Sequence, residues 1–305
     1  MKIIRSYISG FRRAFISKKI ITIIYGVTLL LGLILASVFN STIAGAYGSR
    51  PELYKLLNDF DFKVYTDFLN SAGDRVYPLI NQMLWFGIFY LFFTVFFAGG
   101  VLKYFEVPGI KSKAQTFFAG CAKYFSRFLR LGIYVLLIQA VVFAVIAVPF
   151  AGIFNNALES STEPSLFTVV LIWFGLHIFL FVLISIVSDY AKIILVKEDS
   201  GKVWRALWNG FRFTIKKFYI TYPLYILLLI IPVVLTFVYL WIDASLGMKS
   251  ILTVFVMALI QQIFIWTRVY CKVWILGSEY EYFSGHLRET MQPLLTQEML
   301  INETL

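Results

Sequence analysis

Apolar residues run through this chain in six long stretches: Ile20–Phe39, Pro78–Leu102, Leu131–Leu158, Pro164–Ser188, Phe218–Ile242 and Ser250–Thr267. None of the six holds an Asp, Glu, Lys or Arg. Each is about as long as the ~18–25 residues a helix needs to cross a hydrocarbon core. In lipid every backbone N–H and C=O must find a partner within the protein, so only helices and closed barrels span. Barrel strands alternate in polarity and cross in roughly 10 residues. These continuous runs therefore predict an all-α polytopic membrane protein with six transmembrane helices. Pro149, Pro223 and Pro232 fall inside the third and fifth runs and predict kinks there. Between the first two runs, Arg50–Asn70 predicts a further helix. Pro51 and Glu52 suit its start, and Leu53, Leu56, Leu57, Phe60 and Val64 share one face.

The polar residues between the runs are sorted by sign. Met1–Lys19 carries Lys2, Arg5, Arg12, Arg13, Lys18 and Lys19 and no acid. Lys103–Arg130 has six basic residues against Glu106, and Asp189–Lys217 has seven against Asp189, Glu198 and Asp199. The intervening gaps, Ser41–Tyr77, Glu159–Glu163 and Asp243–Lys249, are balanced or acidic. Short basic loops stay on the cytoplasmic side. The N-terminus, the second and fourth gaps and a C-terminal tail over 277–305 are thus expected inside, and six spans bring both termini to that one side. Only 14% of residues are charged, against about a quarter in a soluble domain. The net charge of +10 is then explained by topology and by anionic lipid at the inner leaflet, and nucleic acid is not expected as a partner. The first apolar run is too long for a signal peptide and lacks a small-residue cleavage site. Cys121 and Cys271 both fall on the reducing side, so no disulfide is expected.

The segments leading into alternate spans resemble one another. Ser9-Gly10-Phe11-Arg12-Arg13-Ala14-Phe15 precedes the first, Ala119-Gly120-Cys121-Ala122-Lys123-Tyr124-Phe125 the third, and Asn209-Gly210-Phe211-Arg212-Phe213-Thr214-Ile215 the fifth. Each reads as an amphipathic helix. Ile4, Ile8, Phe11 and Phe15 form one apolar stripe. Phe117, Cys121, Tyr124 and Phe128 form a second, and Trp204, Leu207, Phe211, Ile215 and Phe218 a third. The even spans end alike too: Asp189-Tyr190-Ala191-Lys192 matches Val269-Tyr270-Cys271-Lys272. The pattern predicts three parallel units over about 1–103, 104–197 and 198–276. Each unit is an interfacial helix followed by a two-span hairpin, repeated about an axis near the membrane normal. Such helices lie in the headgroup region. Arg12, Arg13, Lys123, Arg127, Arg212 and Lys216 are the candidate contacts for anionic lipid or a partner protein. The simpler alternative is that they only fix topology.

Inside the spans the polar candidates are His177, Gln139 and Gln261. An ionisable residue in a span is a functional candidate by default, but one His with no intramembrane acid makes neither a proton relay nor a metal site. A neutral His177 hydrogen-bonded to a neighbouring helix is the expectation. Asp189 and Arg268, near the ends of the fourth and sixth spans, are a candidate interhelix ion pair. The sequence holds no HExxH, GxSxG or GxxxxGK[ST] pattern and no intramembrane carboxylate pair. An enzyme is not expected, and neither is a cofactor.

The Gly99-Gly100 end of the second span, the SDYAKIILVKED run after the fourth and the ALWNGFRFTIKKF run before the fifth resemble an uncharacterised group of bacterial six-span proteins. These are similar to the membrane domain fused to some bacterial glycerophosphodiester phosphodiesterases. The resemblance covers essentially the whole chain, while the phosphodiesterase barrel with its metal-binding acids is absent. It implies a multi-pass protein of the bacterial cytoplasmic membrane, without catalytic residues and with lipid-related work. Two functions are therefore expected. One is a non-enzymatic protein whose basic collar binds anionic lipid, a membrane-protein partner or a second copy. The other is a transporter or channel for a small or lipidic solute, with His177 and Gln139 or Gln261 facing an inner path.

Overall fold

The computed structural model describes residues 2–47, 62–106, 113–160, 163–246 and 250–303. Among them every regular element is an α-helix: α1 Lys2–Ile16, α2 Lys18–Tyr47, α3 Phe62–Glu106, α4 Lys113–Ser160, α5 Glu163–Lys197, α6 Val203–Lys216, α7 Phe218–Ser245 and α8 Ile251–Glu303. Six of them, all but α1 and α6, are long and apolar enough to cross a membrane. The protein is an all-α, multi-pass membrane protein. Of the expected outer helix Arg50–Asn70, the part before Phe62 lies outside the described residues, and the remainder forms the start of α3.

The chain divides into two units. The smaller, Thr22–Thr94, turns its apolar side chains outward, with Leu30, Leu33, Trp85 and Phe89 exposed. Thr28 and Thr94 donate their hydroxyls to carbonyls one turn back, at Ile24 and Tyr90 (both 2.9 Å). A hydroxyl in a span is satisfied this way without a neighbour.

The larger unit, Met1–Ile21 with Val95–Leu305, has its core at one end of the bundle, where the basic segments lie. Phe97, Leu102 and Phe105 of α3, Phe117, Tyr124 and Phe128 of α4, Ile186, Tyr190 and Leu195 of α5, and Trp274 and Phe283 of α8 are buried there. The far halves of α4, α5, α7 and α8 leave Val148, Phe174, Trp241 and Phe255 exposed. A continuous apolar exterior of this kind belongs in a low-dielectric surrounding. The segment from 277, expected above as a tail, is helical and continues α8 to Glu303. Ser278, Glu279, Tyr282 and Phe283 are buried. Its polar composition hid this, because what covers it comes from α1, α5 and α6, distant in the chain.

Three close helix approaches build this end, each at a glycine. A Cβ on Gly10 of α1 would lie 2.6 Å from the Cα of Ser278 on α8. One on Gly120 of α4 would lie 2.5 Å from Cβ of Lys103 and 3.2 Å from Cα of Gly100 on α3. One on Gly210 of α6 would lie 2.9 Å from the carbonyl oxygen of Val187 and 3.0 Å from the amide of Ala191 on α5. Each glycine has at least one of these contacts below 3.0 Å, closer than real Cβ atoms come, so a side chain there would force the neighbouring helix to shift. The register on α8 differs from the sequence match. Gly10 meets Gly277–Ser278, about two turns beyond Cys271.

α1 and α6 also correspond position by position. Ser6, Gly10 and Ala14 are buried on α1, and Ala206, Gly210 and Thr214 on α6. Ile4, Ile8, Phe11 and Phe15 are exposed, as are Trp204, Trp208, Phe211 and Ile215. Leu207, assigned above to the third apolar stripe, is buried. Each helix breaks at one residue before its span. Ser17 N–H donates to the Arg13 carbonyl (3.1 Å) and its own carbonyl accepts from Ile21 (3.1 Å). Lys217 N–H donates to Phe213 (3.0 Å) and its carbonyl accepts from Thr221 (3.0 Å). The middle segment departs from this pattern. α4 runs unbroken from Lys113 to Ser160, and its stripe of Phe117, Cys121, Tyr124 and Phe128 is wholly buried. It is the first part of a spanning helix packed against α3, not a separate surface helix.

Replacing Gly10 by Leu should destabilise the protein by about 1–3 kcal/mol through overpacking. Gly132 has nothing within 4 Å of a Cβ, and Gly132→Ala should be neutral or gain up to about 1 kcal/mol. Thermal unfolding in detergent checks both. Equal effects of the two substitutions would contradict the close approach.

Candidate functional site

The basic residues of this end divide into two groups by what they touch. Arg13, one position from Arg12, is turned by 100° of helix into the packed side of α1. Its guanidinium donates to the Glu281 carboxylate and, at 2.9 Å, to the Phe105 carbonyl. It lies 5.1 Å from the Tyr280 ring centroid and 5.7 Å from that of Phe105. One side chain thus ties α1 both to the end of α3 and to α8.

Lys123 and Arg127 are also taken up within the protein. α5 ends at Lys197, and the turn to α6 puts Asp199 at φ +46°, a left-handed conformation that Asp tolerates better than most residues. Its carboxylate accepts from Lys123 Nζ at 2.6 Å, Arg127 at 2.9 Å and the Tyr124 hydroxyl at 3.2 Å. Arg127 donates also to the Ser200 carbonyl at 3.3 Å. The hydrogen bonds from Lys123 and Arg127 hold the carboxyl down at about 2. Arg12, Arg212 and Lys216 are exposed and make no ion pair among the described residues. Of the six candidate collar residues, three therefore bind the protein to itself and three face outward.

Asp189 pairs with Lys192 at 2.7 Å on its own helix, not with Arg268. The guanidinium of Arg268 is exposed and lies 5.8 Å from the Phe264 ring. A partner one turn away on the same helix is closer than one on α8. The three polar residues of the spans are not brought to a common path. Gln139 is half-buried on α4 and Gln261 is exposed on α8. The ring of His177 stacks on Trp173 (5.8 Å, 12° between planes) and meets Phe143 edge-on (5.3 Å). Its Nδ1 has no hydrogen-bond partner among the described residues, so an aromatic cluster holds it rather than a bond to a neighbouring helix. Beside that cluster an apolar groove of about 420 Å³ runs between α4 and α5, lined by Pro149, Phe150 and Trp173 among others.

One residue escaped the sequence reading. Glu279 is 1% exposed, and neither carboxylate oxygen has a hydrogen-bond partner among the described residues. The buried Tyr190 hydroxyl is also without one. The charges nearest to Glu279 are Asp189 and Lys192. In the sequence it stands in Gly-Ser-Glu-Tyr-Glu-Tyr, which looks solvated. The available signal was that Trp274, Ser278 and Tyr282 repeat at one helical turn, and that no proline follows Thr267 until Pro293.

Compared with known proteins, the chain matches no family model, no curated protein and no solved structure.

Two outcomes follow from this geometry. The Asp199 carboxyl lies below its unfolded value near 3.9, so its contribution to stability is full above about pH 4 and lost as pH falls through about 2. The stability gap between wild type and Asp199→Asn, read by thermal unfolding, should be flat from about pH 5 to 8 and close in acid. A gap that narrows near neutrality would contradict the triple contact. Glu279→Met removes two unpartnered buried oxygens at similar volume, and should leave stability unchanged or raise it by roughly 1–3 kcal/mol. A loss of that size would mean that Glu279 has a partner.

Proposed function

We propose that the chain is a non-enzymatic membrane protein whose basic, aromatic-faced lead-in helices meet the anionic headgroup layer and hold lipid or a membrane-protein partner there. One observation carries the reading. On α1 and α6 the exposed apolar stripes, Ile4–Ile8–Phe11–Phe15 and Trp204–Trp208–Phe211–Ile215, run beside exposed bases. Arg5 and Arg12 flank the first, and Arg205, Arg212 and Lys216 the second. An apolar face with a basic flank is the design of a helix lying in the membrane interface. Each base near an anionic surface is worth about 1 kcal/mol.

Three features support the finer reading. The glycine approaches at 10, 120 and 210 each join a lead-in segment to the end of a different even span, as a threefold repeat of lead-in helix and hairpin would require. The alternation of basic and non-basic gaps favours both termini on the cytoplasmic side. The resemblance to phosphodiesterase membrane domains favours a bacterial cytoplasmic membrane and lipid-related work. Transport along an inner polar path draws less support, since Gln261 is exposed.

Neutralising Arg12, Arg212 and Lys216 together to Gln should leave insertion intact and reduce the anionic phospholipid retained by purified protein several-fold. The retained lipid is read by mass spectrometry of protein extracted from its own membrane. Retention at the wild-type level would overturn the reading.

A further inference from the structure

Between α1, the start of α7 and α8 lies a polar cleft of about 260 Å³. That is roughly nine waters at ~30 Å³ each, and smaller than a drug-sized pocket. Arg5, Ser6 and Ser9 line it from α1, Lys217 from the break between α6 and α7, and His286 and Arg288 from α8. Its two carboxylates are already committed: Glu289 to Lys2 at 2.6 Å, and Glu281 to Arg13. Arg5, Lys217 and Arg288 make no ion pair among the described residues. Two cations from α1 and α8 and one from the break before α7 therefore converge on a space with two serine hydroxyls, and each of its two acids already holds a cation.

We propose that this cleft is a phosphate-binding site. A phosphate group suits the lining because its oxygens accept from guanidinium, ammonium and hydroxyl groups at once, and arginine binds it in bidentate fashion. The surroundings favour a phosphate carried on an amphiphile. Ile4 and Ile8 are exposed beside Arg5, and Tyr219, two residues past Lys217, is 89% exposed. An anionic phospholipid headgroup seated in the cleft would lay its apolar part along these side chains. The inference rests on the interfacial placement of α1 and α6 proposed above and shares Arg5, Ile4 and Ile8 with it, while Lys217 and Arg288 belong to the cleft alone.

The test takes the full chain in detergent and titrates it with inorganic phosphate by calorimetry. A second arm adds phosphatidylglycerol or phosphatidylcholine and counts bound lipid by native mass spectrometry. Arg5→Gln/Arg288→Gln is the cleft variant, both sites being exposed and harmless to folding. Lys217→Gln stands alone as a second variant, and Lys202→Gln, an exposed base outside both the cleft and the collar, is the surface control. The expected result is binding at least about tenfold weaker in both cleft variants, with the surface control changed by much less. Loss in both arms identifies the phosphate group itself as the ligand. Loss for phosphatidylglycerol alone identifies a lipid headgroup, and loss for inorganic phosphate alone a soluble phosphate compound. Wild-type binding by the cleft variants, or no binding by the wild type in either arm, overturns the site. If the Arg12→Gln/Arg212→Gln/Lys216→Gln variant retains lipid while the cleft variants lose it, the collar reading falls and the cleft stands.

Discussion

Lipid tails are as apolar as leucine, so apolar side chains alone give two membrane helices no reason to associate. What brings them together is close backbone approach, which needs small residues at the contact. Gly10 on Ser278, Gly120 on Gly100 and Lys103, and Gly210 on Val187 and Ala191 supply it three times. Everything else at the packed end depends on these contacts. Arg13 reaches Glu281 and the Phe105 carbonyl only because α1 lies along α8. Trp274 donates to the Tyr7 carbonyl at 3.0 Å for the same reason. The first helix of the chain and the last thus lie against one another, and the end that carries the charge is also the end that carries the core.

Charge follows from that packing. A run of bases in sequence looks like one surface, but helix geometry divides it. Arg13, Lys123 and Arg127 are spent on Glu281 and Asp199, while Arg12, Arg212 and Lys216 remain outside. Internal pairs at partly exposed sites are individually weak. Their effect here is positional: Asp199 pins the turn between α5 and α6 onto α4, and so fixes where α6 presents its tryptophans. The outward bases and the apolar stripes beside them are what remains for a membrane surface to meet.

The spans were legible because the hydrocarbon layer forbids charge over a fixed length, and Ile20–Phe39 or Phe218–Ile242 shows that constraint in the composition itself. The likeness of α1 and α6 was legible through Gly10-Phe11-Arg12 and Gly210-Phe211-Arg212. The direction of the buried face was not. The large apolar residues of these helices face outward and the small ones inward, the reverse of a soluble amphipathic helix. The pairing of α1 with α8 was illegible because no local signal links residues 10 and 278. With it went the burial of Glu279 and the place of Ser278. Asp189 chose Lys192 over Arg268 for a reason of distance that no spacing argument weighs.

The packing of α1 along α8 can be tested most directly without any substitution. Lys2 Nζ lies 2.6 Å from the Glu289 carboxylate, within reach of a zero-length carbodiimide cross-link. Protein in its native membrane would be treated, digested and read by mass spectrometry. The expected product is an intramolecular amide joining the Lys2 and Glu289 peptides in monomeric protein. Cross-links from Lys2 to other acids only, with none to the 281–289 segment, would contradict it.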